Sequence, residues 1–515
     1  MSARNPAALA AIVSMLGVVA CGAQPPLPPP PPPPPPVASA SPPPPPEPPR
    51  VTPDAPFRDQ PPAAGPAVVW TPPRVDAWTM KDGVRVLFVE RHDLPIVSVR
   101  VVSTAGAGDL PGARPGEVAF TGAMLEQGAG TRSALALSDD YEGMGADHAA
   151  WCDWDECVAS VKVLTSRLGP ALDVLADVAL RPTFPDAEID RIRKRWLAAI
   201  QQEKNSPGAM EQNAIAAAIY GHGHPYGHSL RGTAAEVDKL TRAEIEQTWR
   251  RLFQPRSTTI VVAGDVAPDS LKAQLEAHFG AWKGGAAPHV PVAHAPPPPQ
   301  GKEHVVLVDV PGAAQSQVYL AEEGAPFETK DRVALGVMNL ILGGSFSSRI
   351  NLELREAKAY TYGAHSRFSL RHGGGPFAAG GAIFADHTAD AVRALKDQIE
   401  RIRKSAVTSE ELGEAKENAK LALPARFETV DELTGALEEI AVYGLPLDEY
   451  AQRAARIDAV TVEDVQRVAK KWLRPEAMRV VVAGDRAKIE HGLADFGAIE
   501  VRDAYGDLVK AESPK

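Results

Sequence analysis

The chain lacks several features that would assign a function at once. It has no concentrated basic face: 65 acidic residues against 54 basic ones leave a net charge of −11, whereas phosphate backbones are held by clustered Lys and Arg. Nucleic-acid binding is therefore excluded. Neither half carries a Gly-rich phosphate loop. Cysteine is scarce, with three in 515 residues, and the two beyond the N-terminal segment are by themselves a weak metal site. The first apolar stretch, Ala7 to Ala20, is too short to persist as a bilayer-spanning anchor. What remains is a soluble body, 44% hydrophobic and long enough for two or three domains with real cores.

The N-terminus reads as an export signal: one cation at Arg4, the apolar stretch, then Val18-Val19-Ala20-Cys21. Small residues before a cysteine resemble the bacterial lipobox, which implies cleavage in front of Cys21 and diacylation of its thiol. Each buried methylene of such chains contributes roughly 0.8 kcal/mol, so a lipid anchor would hold the chain without a transmembrane helix. By the same resemblance, Gly22 after the cysteine favours the outer membrane. Residues 25 to 66 are dominated by proline, with unbroken runs at Pro28–Pro36 and Pro42–Pro46, a composition that forms an extended tether and no core. Cys152 and Cys157 flank Asp153-Trp154-Asp155-Glu156, a hairpin turn between alternating segments. The pair is compatible with a cross-strand disulfide in an oxidising compartment or with two free thiols.

A second proline cluster, Pro296 to Pro299, divides the body into halves of about 220 and 200 residues. The halves are related. Placing Val237–Asp265 over Ile457–Asp485 pairs Asp238 with Asp458, Thr241 with Thr461, Pro255 with Pro475, and Val261-Val262-Ala263-Gly264-Asp265 with Val481-Val482-Ala483-Gly484-Asp485. These ungapped identities indicate an internal duplication. Each copy reads as a Thr-capped helix, a Pro-containing loop, a buried strand and a Gly-Asp turn. Val84–Val89 and Val97–Val102 predict strands joined by a charged turn, while Leu168–Leu180 and Asp186–Gln202 carry helical spacing. The expected fold class is α+β, two homologous domains, each an antiparallel sheet packed with helices. The expected boundaries are a signal peptide over 1–20, lipidated Cys21 and a Pro-rich linker over 21–66, domains over 67–285 and 303–500 separated by a linker over 286–302, and a tail over 501–515.

Residues 75 to 500 resemble the M16 family of zinc metallopeptidases. Asp82-Gly83-Val84, Leu94-Pro95-Ile96-Val97-Ser98-Val99, Arg181-Pro182-Thr183-Phe184-Pro185, Gly223-His224-Pro225-Tyr226-Gly227 and the two Val-Val-Ala-Gly-Asp strands carry the resemblance. It implies a His-x-x-Glu-His motif on an early helix. There, two imidazoles four residues apart bind zinc, and the glutamate between them deprotonates the metal-bound water. Phe120, Met124 and Leu125 keep the family register, but the histidine positions fall on Ala119 and Ala123 and the general-base position on Gly122. The further glutamate ligand, some 76 residues on in the family, falls on Ala199. The resemblance therefore implies no catalytic residue and no metal in this chain. His222, His224, His228, Asp147-His148 and His365 remain as scattered candidate donors, of which His224 matches a structural loop of the family.

In the second half, Leu354-Arg355-Glu356-Ala357-Lys358-Ala359-Tyr360-Thr361-Tyr362-Gly363 resembles the family segment whose arginine and tyrosine, seven apart, bond the substrate main chain opposite the zinc. Arg355 and Tyr362 stand at that spacing, and both can donate to carbonyl oxygens. An ion pair of Arg355 with Glu356 or Glu353 is the plain alternative, and Tyr360 and Arg349 read as packing and loop-fixing residues. The resemblance thus implies the substrate-binding partner of a zinc-bearing M16 chain, the two forming a heterodimer that acts on peptides at the cell envelope. A peptide-binding or scaffolding protein with no proteolytic role is the alternative.

Overall fold

The computed structural model describes residues 70–296 and 304–509; the signal peptide, Cys21 and the Pro-rich tether lie outside them. Two six-stranded sheets dominate. The first half supplies β1 (Asp76–Thr79), β2 (Arg85–Glu90), β3 (Ile96–Ser103), a two-residue pair β4 and β5 (Gly128–Ala129, Arg132–Ser133), then β6 (Asp147–Cys152), β7 (Cys157–Leu164) and β8 (Thr258–Gly264). Its main sheet runs β1-β2-β8-β3-β7-β6. The second half supplies β9 (His304–Asp309), β10 (Gln315–Glu323), β11 (Thr361–Phe368), β12 (Pro376–Phe384), β13 (Arg479–Gly484) and β14 (Ala498–Arg502), ordered β11-β12-β10-β13-β9-β14.

The α+β class holds, with one refinement to the strand pairing. β2 and β3 are joined by a charged turn but are not neighbours, because β8 lies between them, parallel to β2 and antiparallel to β3. The sheets are therefore mixed, β9 being parallel to both β13 and β14. β8 reads Thr-Thr-Ile-Val-Val-Ala-Gly and is buried at all seven positions, so it requires a central place with cover on both faces.

The duplication is visible in space. Helices Arg242–Leu252 and Val462–Trp472 each open on a capping box, Thr241 with Glu244 and Thr461 with Asp464, and each leads to the central strand of its sheet. The tail expected from residue 501 is a correction. β14 runs through Arg502 to cover the free edge of β9, and the chain folds back so that Val509 N–H donates to Val501 C=O at 3.0 Å.

Successive residues of a strand face opposite sides, and both sides of each sheet are apolar. Ile260 and Val262 enter the core of the first half, whereas Val261 and Ala263 face the other way, onto Leu433, Leu437 and Ile440 of helix Val430–Val442 from the second half. The second sheet repeats this. Val480 and Val482 enter its own core, while Val481 and Ala483 face Met210, Ala214 and Ile215 of helix Pro207–Tyr220 from the first half. Arg100 Nη1 reinforces one exchange with a half-buried ion pair to Glu438 at 2.6 Å. The two expected domains thus each complete the other, and residues Val69–Lys515 form one compact unit. The helical run Arg332–Ala357, 26 residues long, is apolar enough to span a bilayer by composition, but its Leu335, Met338, Leu342, Ile350 and Leu354 build the second core.

Because the exchanged helices bridge the halves, heating gives one cooperative transition by calorimetry. Leu437→Ala, removing a side chain 2% exposed, lowers stability by about 2–5 kcal/mol and shifts that single transition without splitting it. Two separable transitions in the wild type contradict the exchange.

Candidate functional site

Helix Glu117–Met124 carries three of the four positions where the family pattern puts metal chemistry. Ala119 and Ala123, one turn apart, open onto a cavity of about 730 Å³ between the halves. Ala199 lies on helix Asp186–Glu203, on the face shared by Trp196 and Glu203, which line the same cavity. The backbone thus presents the three ligand positions to one space, and all three are methyl groups without a lone pair to offer. The remaining acid of the helix, Glu117, is committed elsewhere: it is buried, accepts the Arg114 N–H at 2.9 Å and accepts the Thr248 hydroxyl.

The general-base position is closed as well as empty. A Cβ placed on Gly122 would lie 2.4 Å from the Cys152 backbone nitrogen and 2.7 Å from the Trp151 carbonyl carbon. Cys152 and Cys157 end β6 and begin β7, directly across the ladder, and are joined by a disulfide. Their turn is fixed by the Asp153 carboxylate, which accepts the N–H groups of Asp155 and Glu156 at 2.9 and 3.1 Å. A hairpin held in this way leaves no room at position 122 for a glutamate.

The histidines do not assemble a substitute. His224 donates its Nε2–H to Ala293 C=O at 2.8 Å and takes the Tyr226 N–H on Nδ1, so it is a loop fixture. His148 pairs with Glu126 at 2.8 Å and stacks on Tyr141, His222 pairs with Asp507, and His365 packs edge-on against Tyr319. Among the described residues no group of three or more His, Cys, Asp or Glu side chains is placed to hold a metal ion.

The cavity has polar chemistry of its own, which the sequence pattern did not reveal. Glu211 of helix Pro207–Tyr220, 4% exposed, faces Arg367 and Tyr319 across it. Burial pushes the Glu211 carboxyl up to about 8, with Arg367 pulling against the shift. Burial also raises the Tyr319 phenol to about 12 and holds His365 and His228 below the ordinary histidine value. These residues come from separate segments on both halves.

Arg355 and Tyr362 lie outside the cavity lining and do not touch each other. Arg355 sits in the π-helical turn Leu352–Ala357, its guanidinium 4.5 Å from the centre of the exposed Phe346 ring and its Nε 3.5 Å from Glu356. Tyr362, 82% exposed, projects from edge strand β11, its ring 5.8 Å from that of Phe384. Tyr360 stacks on His387 and Arg349 forms a two-pronged ion pair with Glu411 at 2.6 and 2.8 Å, the packing and loop-fixing roles expected of them.

Two measurements check this geometry. Gly→Ala inside a helix ordinarily stabilises by about 1 kcal/mol; here Gly122→Ala destabilises by about 1–3 kcal/mol because of the overlap with Cys152, read by chemical denaturation. Glu211 titrates near 8 when folded against an ordinary value of 4.5, so folding takes up a proton between those values. Its contribution to stability is full below about pH 4.5 and is lost as pH rises toward 8. Glu211→Gln therefore flattens the fall in melting temperature between pH 5 and 8.

Comparison with known proteins bears on both halves. Residues 85–234 match the family described as insulinase (peptidase family M16), and residues 239–419 match the peptidase M16 inactive domain. An uncharacterized zinc protease of Mycobacterium tuberculosis is 27% identical over 416 residues, covering 80% of this chain and 92% of the relative. The crystal structure of a peptidase M16 inactive domain from Pseudomonas fluorescens is 28% identical, with a TM-score of 0.73, covering 80% of this chain and 98% of that one. The periplasmic protease PqqL from Escherichia coli shares the fold at 15% identity and a TM-score of 0.66. The match covers 84% of this chain but 49% of that one. With both halves matched by the family's two domain types and the metal positions erased from the first, this chain belongs to the M16 peptidase family as a non-catalytic member.

Proposed function

We propose that this chain is the substrate-binding subunit of a two-chain M16 zinc peptidase of the cell envelope, contributing Arg355 and Tyr362 while a zinc-bearing M16 chain contributes the metal, the water and the general base. One observation carries the reading: the metal positions are methyl groups and a closed glycine, whereas Tyr362 stands exposed on edge strand β11 and Arg355, half-buried in the helical turn before it, has only a 3.5 Å ion pair with Glu356. A forked guanidinium and a phenol are suited to donate to substrate carbonyls and to a developing oxyanion. Tyr362 faces outward, where a second chain would complete the site.

Two further features support it. β6 and β11 are edge strands of the two sheets, and an extended peptide can pair with a free strand edge through its main chain, giving affinity with little sequence preference. The Escherichia coli protease is about twice the span of this fold in a single chain, so an assembly of that size from chains of this length takes two. The anchor belongs to the same proposal: diacylated Cys21, cleaved from the signal peptide and followed by the proline tether, would hold the body off an outer membrane.

The test is reconstitution. The mature chain is mixed with a zinc-bearing M16 chain and peptide turnover is measured. Arg355→Ala and Tyr362→Phe are each expected to lower turnover about 100-fold while leaving complex formation and melting temperature unchanged. Unaltered turnover in both variants would establish a scaffold instead, and cleavage by this chain alone with bound zinc would overturn the proposal.

A further inference from the structure

The cavity over the erased zinc position contains two cations without hydrogen-bonded counterions. Arg371 lies with its guanidinium carbon 4.6 Å from the ring centres of both Trp154 and Tyr226, which meet edge to face at 5.2 Å. Asp153 and Asp155 are near enough to act on it electrostatically. Asp153 Oδ1 accepts the turn N–H groups of Asp155 and Glu156, Asp155 Oδ2 accepts the Tyr443 hydroxyl at 2.8 Å and the His372 N–H at 3.2 Å, and Asp155 Oδ1 is buried without a hydrogen-bond partner, so neither carboxylate is hydrogen-bonded to Arg371. Among the described residues Arg371 forms no ion pair with a carboxylate, and Arg367 has only the longer-range attraction of Glu211. A half-buried guanidinium without an acceptor is unfavourable unless something supplies one.

The loop bearing Arg371 is held in place. Tyr220 hydroxyl donates to Gly374 C=O at 2.7 Å and Gly373 N–H donates to Tyr226 hydroxyl at 3.2 Å, so two tyrosines from the first half pin a loop of the second. Fixed donors bind with less ordering cost. The walls around them are aromatic, including Trp151, Trp196 and Tyr319, and the volume of about 730 Å³ falls within the roughly 300–1,000 Å³ of small-ligand sites. A planar fork beside aromatic faces matches a carboxylate attached to an apolar residue.

We infer that this cavity is a receptor for the free C-terminal carboxylate of a peptide, with Arg371 as its bidentate donor, Arg367 as a second cation and the surrounding rings holding the last side chain. That the ligand is a peptide rests on the proposed function. The carboxylate site itself does not require a partner chain, so binding is measured on this chain alone, without turnover.

The probes are N-acetyl-Ala-Ala-Phe as free acid, the same peptide as C-terminal amide, and N-acetyl-Ala-Ala-Glu amide, which offers only a side-chain carboxylate, each titrated calorimetrically into the full mature chain. The free acid is expected to bind at least tenfold more tightly than either amide. Arg371→Gln should abolish that difference, with Arg367→Gln reducing it in case Arg371→Gln does not fold. Equal affinity of acid and amide, equal affinity of the two carboxylates, or no binding of any probe at millimolar concentration would overturn the inference. Failure of reconstituted proteolysis, by contrast, would leave the acid–amide difference intact.

Discussion

The structure depends on a mutual cover between halves. A sheet whose central strand is apolar on both sides needs two layers of packing, and each half makes only one. Helix Val430–Val442 closes the outer face of the first sheet and helix Pro207–Tyr220 closes that of the second. The exchange fixes the halves against one another and brings helix Pro207–Tyr220, with Glu211, against β10 and the Arg371 loop. The cavity is thus a consequence of the packing: its walls come from both halves because neither half has a finished exterior.

The same constraint explains why the metal chemistry is absent in a particular way. Helix Glu117–Met124 lies so close to β6 that position 122 has no room for a Cβ, and the disulfide of the Cys152–Cys157 pair ties the strand ends that occupy that space. Loss of a ligand by substitution would leave the base position open. Here the general-base site is filled by backbone, while Ala119 and Ala123 leave open space in front of them.

Local pattern was sufficient where chemistry depends on spacing along one segment. The erased motif was legible because Phe120, Met124 and Leu125 keep register around it, and the capped helices before β8 and β13 were legible because capping is a contact over three residues. The α+β class followed from strand and helix periodicities. Strand adjacency did not follow, since a charged turn between β2 and β3 suggests a hairpin and says nothing of a distant β8 entering between them. The exchange was equally hidden: an apolar helix announces that it is buried, but not against which sheet. Glu211, Arg367 and Arg371 were missed for the same reason, because their significance arises from segments far apart in the sequence meeting in space, Tyr226 with Gly373 and Glu211 with Tyr319 among them.

Charge gives the cavity a character opposite to that of the chain. Overall the protein is acidic, at −11, yet the charged side chains lining the cavity are Arg231, Arg367 and Arg371 against Glu203 and Glu211, and Arg231 and Glu203 neutralise each other at 2.9 Å. At physiological ionic strength charges are screened over about 8 Å, so the acidic exterior does not reach into the cavity and its arginines do not act far beyond it. An anionic ligand would gain little from long-range steering and would be recognised only on entry, by the fixed forks. Such a site would discriminate by what fits between the arginines and the aromatic rings, and Arg355 and Tyr362 lie outside its lining.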